Sequence, residues 1–193
     1  MIGSLHGILA EKEPPRLLVD VGGVGYDVEV PMSTFFSLPA LGERVRLLTH
    51  HVVREDAQLL YGFLTEAERS LFRNVLKVSG VGPRIALALL SGITIEAFAQ
   101  VVREKDAAAL TRIPGIGRKT AERLLVEMHD RLDQLSSGGE GVVGNGVEAE
   151  ATRALLALDY KPAEAARLIK AASTGTQSTE ELIRRALQIA GKE

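Results

Sequence analysis

The sequence predicts a multidomain α+β protein: a small five-stranded barrel, an all-helical domain, a glycine-rich linker and a terminal three-helix bundle. Three observations predict it. Short apolar runs of strand character, set between Pro- and Gly-rich turns, fill residues 1–64, whereas helical periodicity takes over at residue 65. The pattern Val78-Ser-Gly-Val-Gly-Pro-Arg-Ile-Ala86 returns thirty-five positions later as Ile113-Pro-Gly-Ile-Gly-Arg-Lys-Thr-Ala121, the mark of a duplicated unit. Residues 136–147 hold five glycines in twelve positions and can bury almost nothing.

The expected strands are Ile8-Leu-Ala10, Arg16–Val21, Tyr26–Val30, Arg44–Thr49 and Leu59–Phe63, with turns at Glu13-Pro-Pro15 and Gly22-Gly-Val-Gly25. That count and length fit a Greek-key barrel of the OB type, although periodicity does not separate it from an SH3-like barrel. Thr65-Glu-Ala-Glu68 is a capping box that opens a helical domain over 65–135, with Pro83 and Thr94 as further start signals. Residues 136–147 are expected to be a flexible tether. Over 148–193, Ala151, Leu155 and Leu158, then Ala165, Leu168, Ile169 and Ala172, then Leu182, Ile183, Ala186 and Leu187 mark three amphipathic helices. A capping box at Ser178–Glu181 starts the last. So small a bundle on a tether is expected to dock a partner.

The chain has 193 residues, 46% apolar and 25% charged, with no cysteine. Disulfides, thiolate metal sites and thiol nucleophiles are therefore excluded. No apolar run reaches the roughly 18 residues of a membrane span, and the N-terminus lacks the basic flank and cleavage site of a secretory signal. The expectation is a cytoplasmic protein with no membrane partner. A net charge of −2 is low for a protein that binds a polyanion, but its distribution is uneven: residues 63–134 carry 11 basic against 9 acidic residues, and this is the only segment with a positive excess.

The repeated Gly-apolar-Gly turns carry the chemistry. Two glycines between helices make a tight turn whose amide N–H groups aim at the start of the next helix. The helix dipole concentrates positive charge there, so such amides bind oxyanions. Arg84 in one copy, and Arg118 and Lys119 in the other, add full charges. A nucleotide-binding loop of the form G-x-x-x-x-G-K-[ST] is matched neither by Gly115–Thr120 nor by Gly22–Gly25, so no ATP hydrolysis and no cofactor are expected. The histidines show no ligand spacing, and of adjacent His50 and His51 one is expected to be buried and the other solvated. Glu55 and Asp56 fall at a turn between two strand-like runs. Like charges about 4 Å apart cost roughly 1 kcal/mol in water and about 4 at a protein surface, so this tip would repel phosphates.

The two glycine turns, Met1-Ile-Gly-Ser-Leu-His-Gly7, Val53–Phe63 and Leu158-Asp-Tyr-Lys-Pro162 together resemble the RuvA family, which binds Holliday junctions as part of a branch-migration motor. The resemblance spans nearly the whole chain. It implies an OB-fold first domain, two helix-hairpin-helix motifs in the second, and a third domain like ubiquitin-associated bundles. It also implies a homotetramer, alone or as an octamer of two tetramers, matching the fourfold symmetry of its junction DNA. By position, Ser79, Gly80, Val81, Gly82, Pro83 and Arg84, and Pro114, Gly115, Ile116, Gly117, Arg118 and Lys119, become phosphate-binding hairpins, with Arg123 one turn further. Glu55 and Asp56 become an acidic pin that helps part the strands. The third domain is expected to bind the ATPase RuvB, with Leu155, Leu158 and Tyr160 as contact candidates, and the resolvase RuvC is a further expected partner. Asp159 stands where the family generally has glycine, which suggests a left-handed helix end that Asp tolerates.

Two other functions fit the sequence less well. The second turn also resembles that of helix-hairpin-helix DNA glycosylases, with Lys119 as nucleophile, but the aspartate of that family would fall at Ser137 and its iron–sulfur cysteines are missing. A single-strand-binding barrel needs stacking aromatics, and only 4% of residues are aromatic.

Overall fold

The computed structural model describes residues 1–139, 146–174 and 178–191, with 130–139 described as backbone only. It divides into two compact units, Met1–Asp130 and Arg131–Glu193.

In the first unit β1 (Ser4–Glu13), β2 (Arg16–Val21), β3 (Val24–Glu29), β4 (Arg44–Val53) and β5 (Gln58–Phe63) close a barrel in the order β1-β2-β3-β5-β4. The β3–β5 pairing is parallel and the others are antiparallel. This is the Greek-key order of an OB barrel, which removes both sheet edges. The β2–β3 turn works because Gly22 and Gly23 take φ of 64° and 93°, as a tight hairpin turn requires, and the Asp20 carboxylate accepts from the Gly23 N–H at 2.7 Å. Period-two alternation sends Leu5, Leu9, Leu17, Val19, Val28, Val45 and Leu47 inward.

Strands β1 and β4 run longer than their apolar cores suggest. The first half of β4 pairs with β1, from Arg44 opposite Ile8 to Leu48 opposite Ser4, and the second half with β5, from Leu48 opposite Phe63 to Val53 opposite Gln58. A strand that serves two neighbours is extended by pairing beyond what its own hydrophobicity shows. Helix α1 (Met32–Phe36) between β3 and β4 carries no periodic signal in the sequence, since one turn is too short to display one.

The helical part contains α2 (Glu66–Val75), α3 (Pro83–Gly92), α4 (Ile95–Glu104), α5 (Ala107–Thr111) and α6 (Arg118–Gly139). The expected start signals operate. Thr65 and Glu68 form the reciprocal capping box, Pro83 opens α3, and Thr94 caps α4 by accepting from the Ala97 N–H at 3.2 Å. Helix α6 continues to Gly139, four residues into the stretch expected to be coil, because extending an established helix costs little per residue. Residues 140–145 of that stretch lie outside the described residues.

Helix α2 locks the barrel to the helices. Phe72 is fully buried, its ring 5.1 Å from Tyr61 and 5.0 Å from Phe63. Arg69 donates to the Gly3 carbonyl at 2.8 Å, and Arg73 donates to the Thr49 carbonyl and to His50 Nδ1, each at 3.4 Å. The expectation for the histidine pair is thereby corrected: both are half-buried, and α2 covers the face of β4 that carries His50. His50 meets the Phe72 ring edge at 5.5 Å. Nδ1 of His51 is buried and has no hydrogen-bond partner among the described residues.

The second unit contains α7 (Val147–Ala157), α8 (Pro162–Ala172) and α9 (Thr179–Ala190) around Ala151, Leu155, Ala165, Leu168, Ile169, Leu182 and Ala186. Ser178 caps α9, accepting from the Glu181 N–H at 3.3 Å. Leu158, expected in the apolar stripe, is 55% exposed. Helix α7 ends at Ala157, so Leu158 sits on its cap and leaves the stripe.

Candidate nucleic-acid interface

The duplicated turns adopt the same geometry twice. Val78 N–H donates to the Val75 carbonyl at 3.0 Å and Val81 N–H to the Val78 carbonyl at 3.1 Å; Ile113 and Ile116 make the equivalent bonds to Leu110 and Ile113, both at 3.1 Å. Gly80 and Gly115 take φ of 86° and 89°, a left-handed setting that only glycine reaches without strain. The next helix begins with Ala86 N–H on the Gly82 carbonyl at 3.0 Å, and Ala121 N–H on the Gly117 carbonyl at 2.9 Å.

The apolar residue between each pair of glycines anchors the turn. Val81 and Ile116 are 7% and 5% exposed, and with their side chains inward the glycine peptides on either side are turned to the surface. Gly80, Gly115 and Gly117 are exposed and Gly82 half-buried. Among the described residues, no protein group accepts from the amides of these four glycines. Exposed donors at helix starts are what an oxyanion needs.

Around them, Ser79, Arg84, Pro114, Arg118, Lys119 and Arg123 are exposed and Pro83 is half-buried. The charges are not all unopposed. Arg118 pairs with Glu122 at 2.9 Å, and Arg123 donates to the Ser79 carbonyl at 2.9 Å, which joins the second motif to the first. Two cations missed in the sequence, Lys77 and Arg112, occupy matching positions of the repeat and are both exposed. The signal was available, since thirty-five residues separate them. The Glu55-Asp56 tip lies between β4 and β5, both residues exposed, and is closed by Arg54 N–H on the Ala57 carbonyl at 2.8 Å.

Comparison with known proteins matches this arrangement along the chain. The RuvA N terminal domain profile matches residues 1–62, a SAM-like helix-hairpin-helix tandem 72–130, and the RuvA C-terminal domain 146–191. A protein of Xanthomonas campestris pv. campestris named Holliday junction branch migration complex subunit RuvA is 55% identical over 192 residues, 98% of this chain and 99% of that protein. The chain belongs to the RuvA family. A protein of the same name from Xanthomonas oryzae pv. oryzae is also 55% identical over 192 residues, and one from Alkalilimnicola ehrlichii is 52% identical over 206; each alignment covers 98% of this chain and 99% of the relative.

Within this RuvA architecture the Asp159 departure is accommodated in the way expected. Asp159 takes φ of 66°. Its N–H donates to the Leu156 carbonyl and that of Tyr160 to the Leu155 carbonyl, both at 3.2 Å, which is the Schellman ending usually built with glycine. Of the expected contact candidates, Leu155 is fully buried inside the bundle, Tyr160 is half-buried against it, and only Leu158 offers a largely exposed apolar side chain. Among the described residues there is no cluster of three groups that could hold a metal, and no single helix is long and apolar enough to cross a membrane.

Proposed function

We propose that the chain is the non-catalytic, junction-binding subunit of a branch-migration complex. It grips four-way DNA through the sugar-phosphate backbone at both glycine turns, holds the junction open, and recruits the RuvB ATPase in recombination and repair. The observation that carries this reading is the pair of Gly-apolar-Gly elbows with one geometry, whose glycine amides have no protein acceptor among the described residues and whose flanking cations are exposed. Backbone amides and flexible cations position a duplex without reading base edges, so any sequence can slide through. The relatives' shared name supports the junction as substrate and membership of a complex.

In this reading residues 1–64 form the core of a homotetramer and carry the acidic pin, 65–135 hold the duplex arms, and 148–193, presenting Leu158, dock RuvB. One subunit then serves each arm. Glu55 and Asp56, four times over at the crossover, repel phosphates and discourage the strands from re-pairing. The test is one gel series comparing a four-way junction, a linear duplex and a single strand of the same sequence. The junction is expected to bind at least about a hundredfold tighter than linear duplex, since four arms engage four subunits at once. Equal affinity for junction and duplex would contradict the reading.

A further inference from the structure

We propose that Arg123 is a positioning residue that sets the first hairpin through the second, making the two glycine turns one rigid clamp; this rests on the phosphate-gripping role given to the hairpins above. Its guanidinium, on α6, donates to the Ser79 carbonyl at 2.9 Å, across 44 residues of sequence. Ser79 and Gly80 share a peptide, and in a trans peptide the carbonyl and the N–H point in opposite directions. Holding the Ser79 oxygen toward α6 therefore fixes the Gly80 N–H away from α6, at an exposed glycine whose amide has no protein acceptor among the described residues. The same guanidinium reaches to 3.8 Å from where a Cβ on Gly80 would stand.

The link is supported from the other side. The Ile85 side chain, on α3 of the first motif, lies 3.5 Å from where a Cβ on Gly115 would stand in the second. Each turn is thus braced by a side chain from the partner motif, one polar and one apolar. A glycine peptide at φ near 86° is conformationally permissive, and without the brace it can rotate, so that the oxyanion site must be ordered on binding. Two sites held at a fixed separation also select ligands whose phosphates match that separation, which a loose pair does not.

Positioning and direct charge contact make opposite forecasts. We compare wild type with Arg123→Met, Arg123→Gln and Arg123→Lys in the full chain, titrating a four-way junction at several salt concentrations and measuring backbone amide relaxation of the free protein by NMR. Arg123→Met is expected to bind about tenfold more weakly, with the slope of log K against log salt unchanged, and with a lower order parameter for the Gly80 N–H in the absence of DNA. Arg123→Gln, neutral but still a donor, is expected to recover part of the loss. If Arg123 instead grips a phosphate, Met and Gln lower the slope equally by about 0.9 for each subunit engaged, Lys restores it, and the Gly80 order parameter stays at the wild-type value; that pattern, or full binding by Arg123→Met, overturns the proposal. Arg84→Ala with Lys119→Ala serves as the control. Unchanged junction affinity in that pair rejects the phosphate-gripping role itself, whereas the order parameter at Gly80 reports on the brace independently of DNA.

Discussion

At the residue scale, four positions show how local physics sets backbone conformation and charge. Gly80 and Gly115 sit at φ values that a Cβ disfavours, so Gly80→Ala should cost about 1 kcal/mol of stability by chemical denaturation and weaken junction binding more than stability. Asp159 accepts the same left-handed setting at some strain, and Asp159→Gly is expected to stabilise the second unit by about 0.5–1 kcal/mol, seen as a higher calorimetric midpoint for that unit. His50 titrates below the ordinary imidazole range, first because it is buried and then because Arg73, Arg69 and His51 oppose a further positive charge. A folded pKa below the unfolded value means that the unfolded chain binds more protons. Stability is therefore full above the ordinary value of about 6.5 and falls as pH drops through it toward the folded pKa. His50→Gln, which keeps an acceptor for Arg73, should flatten this acid loss in thermal unfolding between neutral pH and about pH 5; an equally steep loss would show that His50 does not drive it.

At the scale of elements, much of the helical architecture could be read directly because its signals are chemical and local. Thr65 with Glu68, Pro83 at the start of α3 and Thr94 at the start of α4 each satisfy helix-start donors or remove one, and each lies where the sequence places it. The unreadable features depend on partners distant in sequence. The extension of β4 to Val53 comes from pairing with β5, the half-burial of His50 from α2 lying over β4, and the Arg123–Ser79 bond from packing of one motif on the other. Lys77 and Arg112 are legible from the repeat alone, since each stands immediately before the duplicated turn. Phe72 is the joint between barrel and helices, and Phe72→Ala is expected to cost about 3–5 kcal/mol by removing a fully buried ring from between Tyr61, Phe63 and His50. A loss under about 1 kcal/mol would mean that the joint is held instead by the Arg69 and Arg73 bonds.

At the scale of the whole molecule, a chain of net charge −2 is asked to hold a polyanion. In the proposed reading the resolution lies in geometry: the elbows supply partial charges that a residue count does not register, with exposed cations beside them. Arg118→Ala together with Lys119→Ala should lower the salt slope of junction binding by up to about two for each subunit engaged, with Lys119 the larger share because Glu122 already offsets Arg118. The most direct measurement of the central claim is a set of backbone amide shifts for Gly80, Gly82, Gly115 and Gly117, recorded while the protein is titrated with two junctions of unrelated sequence. The same large shifts at all four amides with both junctions are predicted. A saturated complex in which either turn keeps its free-state shifts, or shifts with one sequence alone, would contradict it.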